Sequence, residues 1–424
     1  MATFTMDTYQ SDALPSGASR VDAIVTVTAS DLSSPGMSTQ LGSDVPAELI
    51  IIDASGSMSG DKIRKTRAAA GVAVDGLREG TRFAIIAGND EARMVFPPTE
   101  TLATADAASR QEAKRALKNC RAGGGTKIGT WLILASRLLW YEDGIRHAIL
   151  LTDGRNQSES ASGLDEVLAY CRGVFQCDCR GVGTDWEVAE LRKIADALLG
   201  TVDIVADPKG LAADFARITE TAMSKRVASV VLRIWTPKDA AIEFVKQVYP
   251  SMLELVGNEV DGRPLETDFA TGAWANEARD YHLRVRLAPA PTDDEMLAAR
   301  VTLLVDGEAV GKRQVVATWT DDVELSTRIS PKIAHYTGQA ELVEAVQGGL
   351  AARAAGDDDT ARMRFGRAVQ IADATGAEET GKLLRQLVEV EDASTGRVRL
   401  KTTATIEDQF TLDTRSTRTQ RVKQ

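Results

Sequence analysis

The chain has 424 residues, 43% of them apolar and 26% charged, with a formal net charge of −11. This much apolar residue excludes a disordered chain, and the length allows two to four domains at roughly 100–200 residues each. The acidic balance excludes nucleic acid as a general partner, which needs a basic footprint, and excludes an anionic membrane surface.

The N-terminal residues MATFTMDTYQSDALPSG lack the basic start and apolar core of a signal peptide. No apolar run approaches the ~18 residues of a membrane span. Four cysteines, Cys120, Cys171, Cys177 and Cys179, read as buried free thiols. These features lead to the expectation of a cytoplasmic protein. Residues 21–29, VDAIVTVTA, alternate and are β-branched, which predicts a strand, followed by a Ser-, Gly- and Pro-rich linker to Pro46. Residues 1–46 therefore form a first segment, whose lone strand must find its partners further along the chain.

From 47 to 224 strand and helix alternate. Strands are expected at ELIIID (48–53), 82–88, 92–96, 146–152, 174–183 and 201–206. Helices are expected near 61–78, 104–119, 127–141, 162–172, 186–198 and 208–224. Apolar strands separated by helices are buried on both faces of a mostly parallel sheet, so this is a doubly wound α/β domain. The pair 82–88 and 92–96 is joined too tightly for a crossover and should form an antiparallel edge hairpin. Over 225–327 alternating stretches with turn signals predict an antiparallel β-sandwich, which the strand at 21–29 should join. The α/β domain is then an insertion into it, or nearly so. Residues 328–396 read as a small helical domain, opened by Ser330-Pro331 and by the acidic run Asp357 to Asp359. Residues 397–424, polar and rich in Thr and Arg, read as a flexible tail.

The chemistry concentrates in three loops of the α/β domain. In the first, a buried strand runs into Asp53-Ala54-Ser55-Gly56-Ser57-Met58-Ser59-Gly60 and then a helix. Ligands of doubly wound sheets bind outside the carboxyl ends of the strands, where this loop lies. Gly123-Gly124-Gly125-Thr126 and Thr152-Asp153-Gly154 reach the same rim. Aspartate and hydroxyl oxygens are hard donors that suit Mg²⁺ or Mn²⁺ better than Zn²⁺. A bland alternative is a serine-rich turn that caps a helix with Ser57 or Ser59.

Asp-x-Ser-x-Ser after a first strand, a Gly-rich loop with Thr, and Thr-Asp-Gly after a later strand together resemble the metal-ion-dependent adhesion site of von Willebrand factor A domains. The resemblance covers about residues 47–224 and fills all five positions, Asp53, Ser55, Ser57, Thr126 and Asp153. It implies one Mg²⁺ (or Mn²⁺ or Ca²⁺), with hydroxyls of Ser55, Ser57 and Thr126 on the ion and Asp53 and Asp153 acting directly or through water. It also implies a protein partner whose Asp or Glu carboxylate completes the shell, in intracellular assembly or signalling.

An enzyme is not expected. Gly56 to Gly60 lacks a serine at the centre of Gly-x-Ser-x-Gly, no histidine falls in a suitable loop, and Gly123 to Lys127 lacks the spacing of a Walker loop. A metal-dependent phosphoesterase is the runner-up enzyme class. A scaffold that binds through its helices or sandwich without metal is the alternative binding mode. In the basic C-terminal stretch, Thr417 and Thr419 are candidate phosphorylation sites. Thr419 with Val422 resembles a ligand of forkhead-associated domains, whose arginines read the phosphate.

Overall fold

The protein was analysed as a computed structural model, which describes residues 3–11, 13–32, 45–205 and 210–421. Most of the linker expected before Pro46 (residues 33–44) and Val422 lie outside the described residues. The chain forms two compact units. One is residues 35–228, and the other joins residues 1–34 to 229–424.

The first unit is built on a seven-stranded sheet. Its order is Val202–Val205, Gln176–Val182, Arg146–Thr152, Ala47–Asp53, Arg82–Gly88 and Ala92–Phe96, with Ala103–Thr104 also on Arg82–Gly88. The first five strands are parallel, and the last full strand closes the edge as an antiparallel hairpin. Every residue of Ala47–Asp53 is buried. The apolar run Leu49 to Ile52 is what a strand sandwiched by helices requires, because both of its faces leave water. On one face Ile50, Ile52, Ile149 and Leu151 pack with Ala70 and Val74 of the helix Asp61–Gly76 and with Phe215 and Ile218 of Leu211–Ser224. Helices Ile128–Leu139, Ala161–Cys171 and Val188–Ala197 pack on one another and on the sheet elsewhere. Gly88 has a steric reason to be glycine. A Cβ there would lie 2.2 Å from the Trp131 ring, which covers the strand end beside the loops. All four cysteines are buried and free.

The second unit holds a five-stranded and a six-stranded sheet. The strand Arg20–Ser30 pairs antiparallel with Glu277–Arg286, more than 240 residues on in sequence, and with Thr3–Gln10. The side chain of Gln10 bonds the backbone of Val316 in both directions, at 2.7 and 3.0 Å, and so ties an edge strand of the first sheet to a strand of the second. Two elements here are absent from the reading of the sequence, the N-terminal strand Thr3–Gln10 and the hairpin Gly257–Val260 with Arg263–Ala270. Both are half exposed, so they lack the apolar run that marks a strand.

Helices Pro331–Ala354, Asp358–Thr375 and Glu378–Leu387 share a core through Val346, Phe365, Ala368 and Leu384. Asp357 caps the second through the Thr360 N–H at 3.0 Å. The expectation of a flexible tail over 397–424 is corrected for the described residues 397–421. Val388–Asp392 and Arg397–Leu400 form an antiparallel hairpin, and Ile406–Arg415 is a helix with a capping box between Thr405 and Asp408. Val398 and Leu412 are buried in the helical core. The polar composition hid these two anchors, which are spaced too widely to show a period.

Residues 417–421 are bonded as well. Thr419 Oγ1 donates to the Val248 carbonyl at 2.6 Å, and the Met252 N–H donates to the Thr417 carbonyl at 2.8 Å. Arg421 reaches both oxygens of buried Asp280 at 3.1 Å, where Thr26 and Tyr336 also donate and Lys332 stands at 3.4 Å.

Candidate functional site

The loop after Ala47–Asp53 is a short 3-10 turn, Gly56–Met58, and the helix Asp61–Gly76 begins after Gly60. Gly60 has φ +76°, a left-handed conformation that glycine adopts without strain. It occupies the N-cap position, and neither Ser57 nor Ser59 caps the helix. Ser59 donates to the Gly56 carbonyl at 2.8 Å, and Ser57 points elsewhere. The helix-capping alternative is thereby removed as an account of these serines.

Asp53 is fully buried. Its Oδ1 accepts the Ser55 N–H at 2.7 Å, and its Oδ2 accepts the Thr152 hydroxyl. Ser55 Oγ and Ser57 Oγ lie 3.0 Å apart, and Ser57 Oγ donates to Asp153 Oδ1 at 2.7 Å. Asp153 is also fully buried. Its other oxygen meets Lys62 Nζ, which stands 3.5 Å from Asp185 as well.

Thr126 arrives on the Gly-rich loop. That loop is tied to the first by the Gly56 N–H on the Gly124 carbonyl at 2.9 Å and the Gly123 N–H on the Ala54 carbonyl at 2.8 Å. Asp90 holds its far side, accepting the Gly125 N–H at 2.7 Å and the Ser158 hydroxyl at 2.9 Å.

The three loops converge at Gly154. A Cβ added there would sit 3.3 Å from Thr126 Oγ1, 3.4 Å from Ser57 Oγ and 3.9 Å from Asp53 Oδ2. A gap slightly tighter than a methyl group is thus rimmed by oxygens of two loops, Asp53 and Ser57 of the first and Thr126 of the second, with Gly154 of the third beside it. All five sequence-predicted residues, Asp53, Ser55, Ser57, Thr126 and Asp153, belong to one bonded or facing set. Among the described residues no group of three or more His, Cys, Asp or Glu is gathered to hold a metal. This set differs in kind, with two carboxylates and three hydroxyls, and its hard oxygens fit a divalent cation of the Mg²⁺ type.

Electrostatics favour that fit. Burial raises the pKa of Asp53 above its ordinary 3.8, hydrogen bonds from Ser55 and Thr152 offset this in part, and the like charge of Asp153 adds to it. A buried carboxylate supplied only with neutral donors is stabilised by a cation placed beside it. Burial opposes the charge on Lys62, but Asp153 and Asp185 hold its pKa above the ordinary value.

Two residues of this set went unselected in the sequence. Thr152 orients Asp53, and the signal was its place in Thr-Asp-Gly. Lys62 neutralises Asp153, and the signal was a lysine in the first turn of a helix, where the dipole disfavours it.

Comparison with known proteins places the fold that carries these loops. Residues 48–204 match the family model of the von Willebrand factor type A domain, and residues 370–416 match that of the von Willebrand factor type A C-terminal domain. A solved von Willebrand factor type A protein from Catenulispora acidiphila is 44% identical. The match covers 99% of this chain and 98% of that one, with a TM-score of 0.91. The chain belongs to the von Willebrand factor type A family. Domains of this family typically mediate protein–protein interactions and often bind a divalent metal at the adhesion site.

The ArnB paralog VWA2 from Sulfolobus acidocaldarius shares the fold, at 16% identity, 98% coverage of each chain and a TM-score of 0.66. Among curated proteins, sll0103 of Synechocystis is 25% identical over 217 residues, 49% of either chain. Human inter-alpha-trypsin inhibitor heavy chain H4 is 32% identical over 158 residues, 35% of this chain. The chain thus spans about half the length of sll0103 and 17% of the human protein. The C-terminal family match covers the hairpin and helix that the polar sequence had concealed. No helix among the described residues is long and apolar enough to cross a membrane.

Proposed function

We propose that this von Willebrand factor A protein binds a protein ligand through a divalent cation held by Ser55, Ser57 and Thr126 with Asp53 and Asp153. The observation that carries the reading is the oxygen-rimmed gap at Gly154, flanked by two fully buried aspartates. A cation there supplies an electrophilic centre, because few protein charges face it, and an acidic side chain of the partner is its natural complement. Mg²⁺ is the first choice, with Mn²⁺ and Ca²⁺ as alternatives. Four buried free thiols accord with a reducing, cytoplasmic setting and a role in intracellular assembly or signalling.

The direct test is calorimetric titration of Mg²⁺ and Mn²⁺ into metal-stripped wild type and D53A. One site in wild type and none in D53A supports the reading, followed by partner capture with and without chelator. No binding in wild type overturns it, and partner capture that chelator leaves unchanged favours a scaffold acting through the helices or antiparallel sheets.

The histidines accord with a binding rather than a hydrolytic role. His147 pairs with Glu48 and Asp178, His282 with Asp22, and His335 contacts the Gln420 carbonyl. Phosphate-ester turnover that is lost in D53A would instead establish the phosphoesterase reading.

Phosphorylation of Thr417 or Thr419, with capture by a forkhead-associated domain, stays a separate proposal. The Thr419 hydroxyl is engaged with Val248, so a kinase must first release residues 417–421. Phosphopeptide mapping from cells that finds both threonines unmodified would end it.

A further inference from the structure

Lys62 is the second residue of the helix Asp61–Gly76, so it faces the positive end of the helix dipole. Local helix preference does not explain a lysine there; its tertiary contacts do. Asp153 divides its two oxygens. Oδ1 accepts the hydroxyl of Ser57, which rims the gap, at 2.7 Å, and Oδ2 meets the Lys62 ammonium. Asp153 is wholly buried, whereas the Lys62 side chain keeps 33% of its exposure and so reaches solvent beside the rim. Asp185, 72% exposed, competes for the same ammonium at 3.5 Å.

We propose that Lys62 sets the charge of the site, weakening its hold on the cation and strengthening its hold on the incoming carboxylate. The inference rests on the cation-site reading above. Two aspartates and a divalent cation sum to zero, which offers an acidic ligand no net attraction on a protein of charge −11. Lys62 adds one positive charge within contact of a cation-facing carboxylate. Because Asp153 is out of water, that charge acts through a medium of low effective dielectric. The charge of Asp185 is largely screened by solvent, so it tempers Lys62 without cancelling it. Lys62 therefore makes the local field positive where the global field is negative, as capture of an acidic ligand requires.

The experiment titrates Mg²⁺ and Mn²⁺ into metal-stripped wild type, K62Q, K62R and D185N by calorimetry. It then titrates acetate into the Mn²⁺-loaded proteins, read by water-proton relaxation. The expected result is cation binding roughly ten-fold tighter in K62Q, with acetate binding several-fold weaker. K62R should stay close to wild type. D185N should shift the opposite way from K62Q by a smaller factor, with weaker cation and tighter acetate binding.

K62Q and D185N with wild-type affinities overturn the role of Lys62 while leaving the cation site standing. Weaker cation binding in a folded K62Q would also overturn it, by showing that Lys62 only shapes Asp153. Wild type that takes no cation overturns the cation-site reading and this inference with it. If K62Q fails to fold, the exposed substitution D185N decides by its sign.

Discussion

The strand Ala47–Asp53 carries a buried carboxylate near each end, and the two are treated differently. Near its start, Glu48 places both oxygens 2.9 Å from His147 Nδ1, and His147 Nε2 lies 3.1 Å from Asp178. Asp178 also accepts the Thr201 N–H at 2.7 Å, and Arg180 on the same strand bonds Asp214 at 2.9 Å. Burial disfavours the charge on His147, yet Glu48 and Asp178 raise its pKa to about 10. Burial disfavours ionised Asp178 too, but His147 and Arg180 hold its pKa well below 3.8. At the other end Asp53 receives only neutral donors, from Ser55 and Thr152, and burial raises its pKa. Glu48 and Asp178, held on the buried His147, are part of the framework, while Asp53, given neutral donors, is suited to an exchangeable cation. The first cluster sits among the strand starts, and the second lies at the carboxyl ends, where open sheets bind ligands.

The largest effect should come from breaking the first cluster. His147→Ala leaves Glu48 buried without its cation, which should cost about 3–5 kcal/mol in urea unfolding, with no recovery on adding Mg²⁺. A neutral result would dissolve the contrast.

Its pH dependence is nearly as informative. The folded pKa of His147 lies above the unfolded 6.5, so its stabilisation is full below pH 6.5 and is lost as pH rises through about 10. Wild type should lose stability across that alkaline window, and His147→Gln should show a flatter profile there.

At the other end the sign reverses. A raised carboxylate pKa means that ionised Asp53 destabilises the cation-free fold, increasingly as pH rises through its folded pKa. Asp53→Asn should therefore be at least as stable as cation-free wild type. It should also forgo the gain from Mg²⁺, about 2.7 kcal/mol when the ion is at 100 times its Kd. A loss of stability in cation-free Asp53→Asn to match that of His147→Ala would make both clusters structural.

The smallest change probes the gap alone. Gly154 is not among the glycines of positive φ, so alanine fits its backbone. The added methyl, 3.3 Å from Thr126 Oγ1, should lower cation affinity while thermal unfolding in chelator shifts by less than about 1 kcal/mol. Unchanged affinity would place the ion elsewhere.

Much of this contrast was legible in the chain and part of it was not. The strands Arg82–Gly88 and Arg146–Thr152 end where the apolar runs end, because burial on both faces writes itself into consecutive residues. Asp53, Ser55, Ser57, Thr126 and Asp153 could be picked out because each follows a strand or opens a helix in a loop of small residues. The sequence by itself therefore determined the α/β pattern, the rim on which the loops meet and the oxygen-bearing residues gathered there.

Only the tertiary structure decided the rest. It joined Arg20–Ser30 to Glu277–Arg286, placed Lys62 behind Asp153, and set His147 between Glu48 and Asp178. It also ordered the polar C-terminal residues, through Val398, Leu412 and the bonds of Arg421 to Asp280. The physical reason is range. Periodicity and turn chemistry act within a few residues, whereas the ion pairs of His147 with Asp178 and of His282 with Asp22 join residues 31 and 260 positions apart and leave no local pattern.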